Sequence, residues 1–194
     1  MVAEKCRCPS RTHGHEPGKC TNLVSEPGLM CKSCYDKEKA GLDRTAAITG
    51  DEAALNMVLD DFLRAIHDKD ALGVLAALSE DAVAFDLAPP LQLGPEIMHD
   101  LRRLEEWFAT WKGPIVTEPL DRKIECDGAV AYAHSLQCMT GTKIEGENVD
   151  LWFRATACFR KGDRGWLITH MHNSVPFAMD GTQKALLNLK PNHV

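Results

Sequence analysis

Between Val149 and Ala178 the chain reads VDLWFRATACFRKGDRGWLITHMHNSVPFA, two strand-like runs around a tight turn that set Arg154, His170 and His172 among tryptophans. Side chains on a strand point alternately to opposite faces. Trp152, Arg154, Thr156 and Cys158 therefore share one face, and Leu151, Phe153, Ala155 and Ala157 the other. On the second run Trp166, Ile168, His170 and His172 fall together. Half-buried charge needs a partner, so the face with the arginine and histidines is expected to wall a ligand pocket. Arg154 could grip a substrate carboxylate or enolate with its forked donors. His134, His170 and His172 could donate to an oxyanion or move protons near neutral pH. His134 is in phase with Val130, Tyr132 and Leu136, an otherwise apolar face. The plainer reading pairs Arg154 with Asp86 or Asp150 and bonds each histidine to backbone. A third reading gives His134, His170, His172 and Asp86 a zinc, iron or copper ion.

A second cluster lies near the start. Of 8 cysteines, Cys6, Cys8, Cys20, Cys31 and Cys34 crowd the first segment, together with His13 and His15. In a reducing compartment such clustering points to metal rather than disulfides. Thiolates in a tetrahedron suit zinc, and the expected ligands are Cys8, Cys20, Cys31 and Cys34, with Cys6, His13 or His15 as substitutes. A segment so poor in apolar residues would draw its folding free energy from the ion, on the order of 10 kcal/mol in zinc-finger peptides. The expected role of the zinc is structural, or to dock a protein partner. Cys126, Cys138 and Cys158 read as small sheet or core residues.

Regular elements must position these groups. Thr49-Gly-Asp-Glu52 has the form of a capping box, so a helix is expected from Gly50 or Asp51, with Leu55, Val58, Leu59, Phe62, Leu63 and Ile66 on one face. Asp68 or Asp70 can cap a second helix through Leu78. The run DAVAFDLA alternates as a strand, and Gly94-Pro95-Glu96 opens a third helix toward Trp111. Four strands follow from Ile115, with turns at 126–128, 140–147 and 162–165. This order is α+β. It divides the chain into a Cys/His-rich zinc module (1–40), a linker (41–48), a main domain (49–180) and a tail (181–194).

Composition narrows the classes. The chain has 194 residues, enough for one ordinary domain and a small appendage. A net charge of −6 argues against nucleic acid as the main partner. With 44% hydrophobic residues the chain can build a core. The opening MVAEKCRCPS has no apolar run to serve as a signal, and no stretch is long enough to span a bilayer. A cytoplasmic location is expected.

From about Asp51 to Phe177 the chain resembles the SnoaL-like and ketosteroid-isomerase-like proteins of the nuclear-transport-factor-two superfamily. The resemblance rests on LSEDAVAFDLAPP, GPEIMHDLRRLEEWFATW, AYAHSLQCMTGT and the long hairpin. It implies a cone of curved antiparallel sheet wrapped on three helices, one deep pocket, and often a homodimer. It also implies cofactor-independent acid–base chemistry of isomerase, dehydratase or cyclase type on a small apolar carbonyl compound. A module that only binds its ligand is the alternative. The family's base strand matches Asp81-Ala-Val-Ala-Phe-Asp86 and puts the general base at Asp86, walled by Phe85 and Leu87. The tyrosine that the steroid isomerases carry on the first helix has no counterpart there, since Tyr35 and Tyr132 both fall elsewhere in this reading. Arg154, His134 or His172 would then stabilise the oxyanion, with Trp152, His170 and Tyr132 lining the ligand.

Overall fold

The structure is a computed structural model that describes residues 4–5, 23–24 and 32–191, with side chains from 50 to 191. The chain divides into two compact units, Met1–Gly50 and Asp51–Val194. In the first, β1 (Glu4–Lys5) pairs antiparallel with β2 (Leu23–Val24). Cys6, Cys8, His13, His15, Cys20 and Cys31 lie outside the described residues, as does the side chain of Cys34.

Helix α1 runs Lys32–Asp68. The capping box at Thr49 therefore does not start a helix. Residues 32–48 include three Lys and three Ala, all good helix formers, and extending a helix is easier than nucleating another. Tyr35 consequently lies on the first helix, contrary to expectation. Further along, Leu55, Leu59, Phe62 and Ala65 recur at helical spacing and are buried. Each large apolar side chain of this kind contributes about 1.5–3 kcal/mol on burial.

Asp70 caps α2 (Ala71–Ala76) by accepting from the Gly73 amide at 3.0 Å. The helix expected from Gly94 to Trp111 is two pieces, α3 (Pro95–Met98) and α4 (Leu101–Ala109). The break comes at Asp100, whose carboxylate accepts from the Arg103 amide at 3.1 Å and caps α4. Aspartate competes well for backbone donors outside a helix, and this favours a new start there.

Five strands form one sheet: β3 (Leu78–Phe85), β4 (Trp111–Asp127), β5 (Val130–Lys143), β6 (Asn148–Gly162) and β7 (Gly165–Ser174), in the order β3-β7-β6-β5-β4. The sheet is mixed rather than purely antiparallel, because β3 pairs parallel with β7. Only a long connection can return the chain to a parallel neighbour, and α3, α4 and the β4–β6 meander supply it.

A bulge in β7 decides what faces where. Phe159 pairs with Ile168, but Cys158 pairs with His170, so Thr169 is the extra residue and its hydroxyl donates to the Cys158 carbonyl at 3.2 Å. One inserted residue reverses the alternation downstream. Ile168 is 1% exposed and packs inward, whereas His170 turns to the opposite face with Cys158. The expected grouping of Trp166, Ile168, His170 and His172 is thus split in two. Among the described residues, no helix is long and apolar enough to cross a membrane.

Candidate functional site

Between the helices and the inner face of the sheet lies a cavity of about 510 Å³. That size suits a small organic ligand. Alternate residues of β5 and β6 make its floor: Ala133 pairs with Ala157, Ser135 with Ala155, Gln137 with Phe153, and Met139 with Leu151. The alanines and Ser135 leave the space, and Phe62, Leu63 and Leu104 on the helices close it from the other side.

A band of polar groups crosses the floor. Asp86, just past the end of β3, takes a hydrogen bond on Oδ1 from Asn173 Nδ2 at 3.1 Å and another from the Leu87 amide at 2.8 Å. Asn173 pairs with Ala155, which pairs with Ser135, so Asp86, Asn173 and Ser135 lie along one row of the sheet. Gln137 Nε2 donates to Ser135 Oγ at 3.4 Å, leaving the serine proton available to an acceptor in the cavity. Arg122, at the bulge in β4, is tied to α1 through Asp60 at 2.7 Å and Asn56 at 3.1 Å. Asp100 also lines the cavity, but its carboxylate is engaged as the helix cap. At the far end of β5, Lys143 Nζ sits 3.7 Å from the centre of the Trp111 ring and donates to Thr110 Oγ1 at 3.0 Å. Removal from water holds its pKa below the ordinary lysine value, with Glu147 opposing the shift.

Residues 55–178 match the model of the SnoaL-like domain. The chain belongs to the SnoaL-like domain family. No curated protein matches it. Among solved structures, it resembles an NTF2-like protein of unknown function from Pseudomonas putida, at 31% identity and a TM-score of 0.65 over 74% of this chain and 98% of that one. A candidate dehydratase of the NTF2-like family from Streptomyces avermitilis shares the fold at 16% identity, with a TM-score of 0.59 over 68% of this chain and 99% of that one. A candidate aromatic ring hydroxylase from Novosphingobium aromaticivorans does so at 19% identity, with a TM-score of 0.57 over 65% and 89%.

Of the residues singled out in the sequence, Asp86 lines the cavity of the SnoaL-like domain; Arg154, His134, His170, His172, Trp152, Tyr132 and Phe85 do not. They stand on the opposite face of the sheet. Thr156 lies between His134 and His172 in one row, Cys158 lies between Tyr132 and His170 in the next, and Arg154 pairs with Leu136. The expected pocket wall is corrected: alternation is right along β5 and β6, but the cavity lies under the other set of residues. Phe85, expected to wall Asp86, packs edge-on against His170 at 4.8 Å and His172 at 5.7 Å. His170 Nδ1 is 2.9 Å from the Val83 carbonyl, the backbone bond of the plainer reading. Arg154 pairs with neither proposed carboxylate: Asp86 holds Asn173, and Asp150 forms an ion pair with Lys190 at 2.6 Å. The Tyr132 pKa is raised by its hydrogen bond to Glu125, and burial raises that of Cys158.

No group of three or more His, Cys, Asp or Glu among the described residues could hold a metal ion. The His134, His170, His172 and Asp86 set fails because the sheet itself separates Asp86 from the histidines. Sequence reasoning missed Ser135, Gln137, Asn173 and Lys143. Ser135 and Gln137 were visible as polar residues in phase with Ala133 and Met139, a row of small and flexible side chains that leaves room for a ligand.

Proposed function

We propose that the cavity binds a small, mostly apolar carbonyl compound and that Asp86 moves a proton on it, without an organic cofactor. The observation that carries this reading is the placement of Asp86 in the cavity, in one row with Asn173 and Ser135. Both carboxylates accept on Oδ1 alone, but Asp86 is held by the Leu87 amide and by Asn173, in one row of the sheet with Ser135, whereas Asp100 caps α4 away from that row. Oδ2 of Asp86 is thus the oxygen left to take a proton from the carbon next to a carbonyl. As that C–H bond breaks, its electron pair moves to the carbonyl oxygen, and Ser135 and Gln137 are the donors placed to stabilise the oxyanion. Returning the proton to another carbon would isomerise the substrate. If the enolate's electron pair instead expels a hydroxyl from the neighbouring carbon, which leaves as water with the proton held by Asp86, the result is dehydration, the reaction named for the Streptomyces avermitilis neighbour. Asn173 holds Asp86 in place and acts as a positioning residue.

The test follows deuterium uptake at the α-carbons of 2-tetralone in D2O by NMR. The protein should accelerate exchange, and Asp86→Asn, which keeps shape and hydrogen bonding, should slow it by roughly a hundredfold or more. Exchange unchanged in Asp86→Asn would remove the residue from this role. A cavity that takes up an apolar probe but gives no exchange would make the domain a binding module.

A further inference from the structure

The positive charges lining the cavity are not equally satisfied. Arg122 is paired with Asp60, but among the described residues no carboxylate lies within ion-pair distance of Lys143 or Arg103. Both residues line the cavity. Arg103 lies one helical turn before Trp107 on α4, the Trp107 ring meets that of Trp111 edge-on at 6.0 Å, and the Lys143 ammonium caps the Trp111 face. Trp111 is 3% exposed, and its indole N–H has no acceptor among the described residues. A buried donor left unpaired is costly, as is an ammonium drawn out of water; an anionic acceptor would satisfy both. Gly141 holds the tryptophan in place. A Cβ there would come within 2.9 Å of the six-membered ring, so only glycine admits it without displacement.

We infer that Lys143, Arg103 and the indole N–H of Trp111 form a subsite for a carboxylate, so that the substrate is an amphipathic acid rather than a neutral ketone. Its apolar body lies along Met139, Leu151 and Phe153, its carboxylate reaches Lys143, and its reacting carbonyl meets Asp86. Arginine supplies a planar fork that matches a carboxylate, and lysine supplies a point charge. The carboxylate subsite rests on the cavity being the ligand site and not on catalysis by Asp86; only the placement of the carbonyl at Asp86 rests on the proposed function.

The experiment loads the full chain with N-phenyl-1-naphthylamine, a neutral apolar fluorophore, and displaces it with octanoate or with octanol of the same chain length. Octanoate should displace the probe at concentrations roughly tenfold lower, the equivalent of one modest charge-assisted contact. Lys143→Met should bring the two concentrations to within about twofold, and Lys143→Arg should restore the preference. Thermal unfolding of each variant checks that it is folded. Equal displacement by octanoate and octanol in the wild type overturns the carboxylate subsite and leaves the cavity reading intact. A preference that survives in a folded Lys143→Met also overturns it. Failure of the fluorophore to bind overturns the cavity reading itself.

Discussion

Two aspartates face the same cavity, and their nearest backbone amides set them different tasks. Asp100 caps the start of a helix through Oδ1; Asp86 accepts on Oδ1 from one amide and one side chain, in the same row of the sheet as Ser135. Asp86 was legible because its strand matches a known pattern, Asp81-Ala-Val-Ala-Phe-Asp86. The donors proposed to work with it were not. Arg154 and the histidines drew attention because they are chemically loud, yet the polar groups of the sheet nearest Asp86 in the cavity are Asn173, Ser135 and Gln137. Ser135→Ala is expected to slow 2-tetralone exchange by roughly a hundredfold, the usual cost of one oxyanion donor, with fluorophore uptake preserved. Arg122 tests a structural role by contrast. Its side chain is 15% exposed and joins β4 to α1, so Arg122→Ala should lower stability in chemical denaturation by about 1–3 kcal/mol.

At the scale of elements, register separates reading from result. The sequence shows that Trp152, Arg154 and Thr156 share a face of β6, and the pairings agree. Alternation alone does not say which face meets the core, since a strand has two and a slip of one residue exchanges them. The bulge at Thr169 adds a second ambiguity, because nothing in GWLITHMHNS announces an extra residue. Helix starts were legible at Asp70 and at Gly94-Pro95, and illegible at Asp100, which lies inside the expected third helix, and at Thr49, where the capping box lies inside a longer helix. The close approach of β5 to Trp111 gives an element-scale prediction. Gly141→Ala forces a contact near 3 Å with the ring and should cost about 1–3 kcal/mol, the range for overpacking. It should also weaken the octanoate preference by moving Trp111 under Lys143, a readout that a purely local strain would leave alone.

For the whole molecule, three carboxylates bind distant parts of the chain together. Asp51 on α1 takes hydrogen bonds from Lys161 and Trp166 on the β6–β7 hairpin, which lower its pKa. Ser79 and Arg160 do the same for Asp81, and Lys190 for Asp150. Because the folded pKa values are depressed, the unfolded chain binds more protons in the window below the ordinary value of 3.8. These contributions are therefore complete above that value and lost as pH falls through the folded ones. Lys143 has the opposite sign: its lowered pKa disfavours the folded state while it is charged, so stability should rise as pH climbs toward its ordinary 10.5. Thermal unfolding across pH should show both limbs, with the acid limb shallower in Asp51→Asn. The first unit carries a separate expectation from its cysteine spacing. We propose that it holds zinc, and mass spectrometry of metal content should find the ion in the chain and lose it in Cys31→Ser/Cys34→Ser; a zinc-free parent would contradict this.

On the proposed function, ligands enter the space beneath the inner face of the sheet and do not use its histidine-bearing outer face. Methionine methyl groups report on this directly, because Met98, Met139 and Met171 line the cavity, while Met57 and Met179 are 65% and 88% exposed. In a methyl-labelled sample titrated with N-phenyl-1-naphthylamine, ring-current shifts should appear at Met98, Met139 and Met171 and leave Met57 and Met179 unmoved. Shifts confined to Met179, or none at the three cavity methionines while the probe's fluorescence reports binding, would contradict the account and move the ligand site elsewhere.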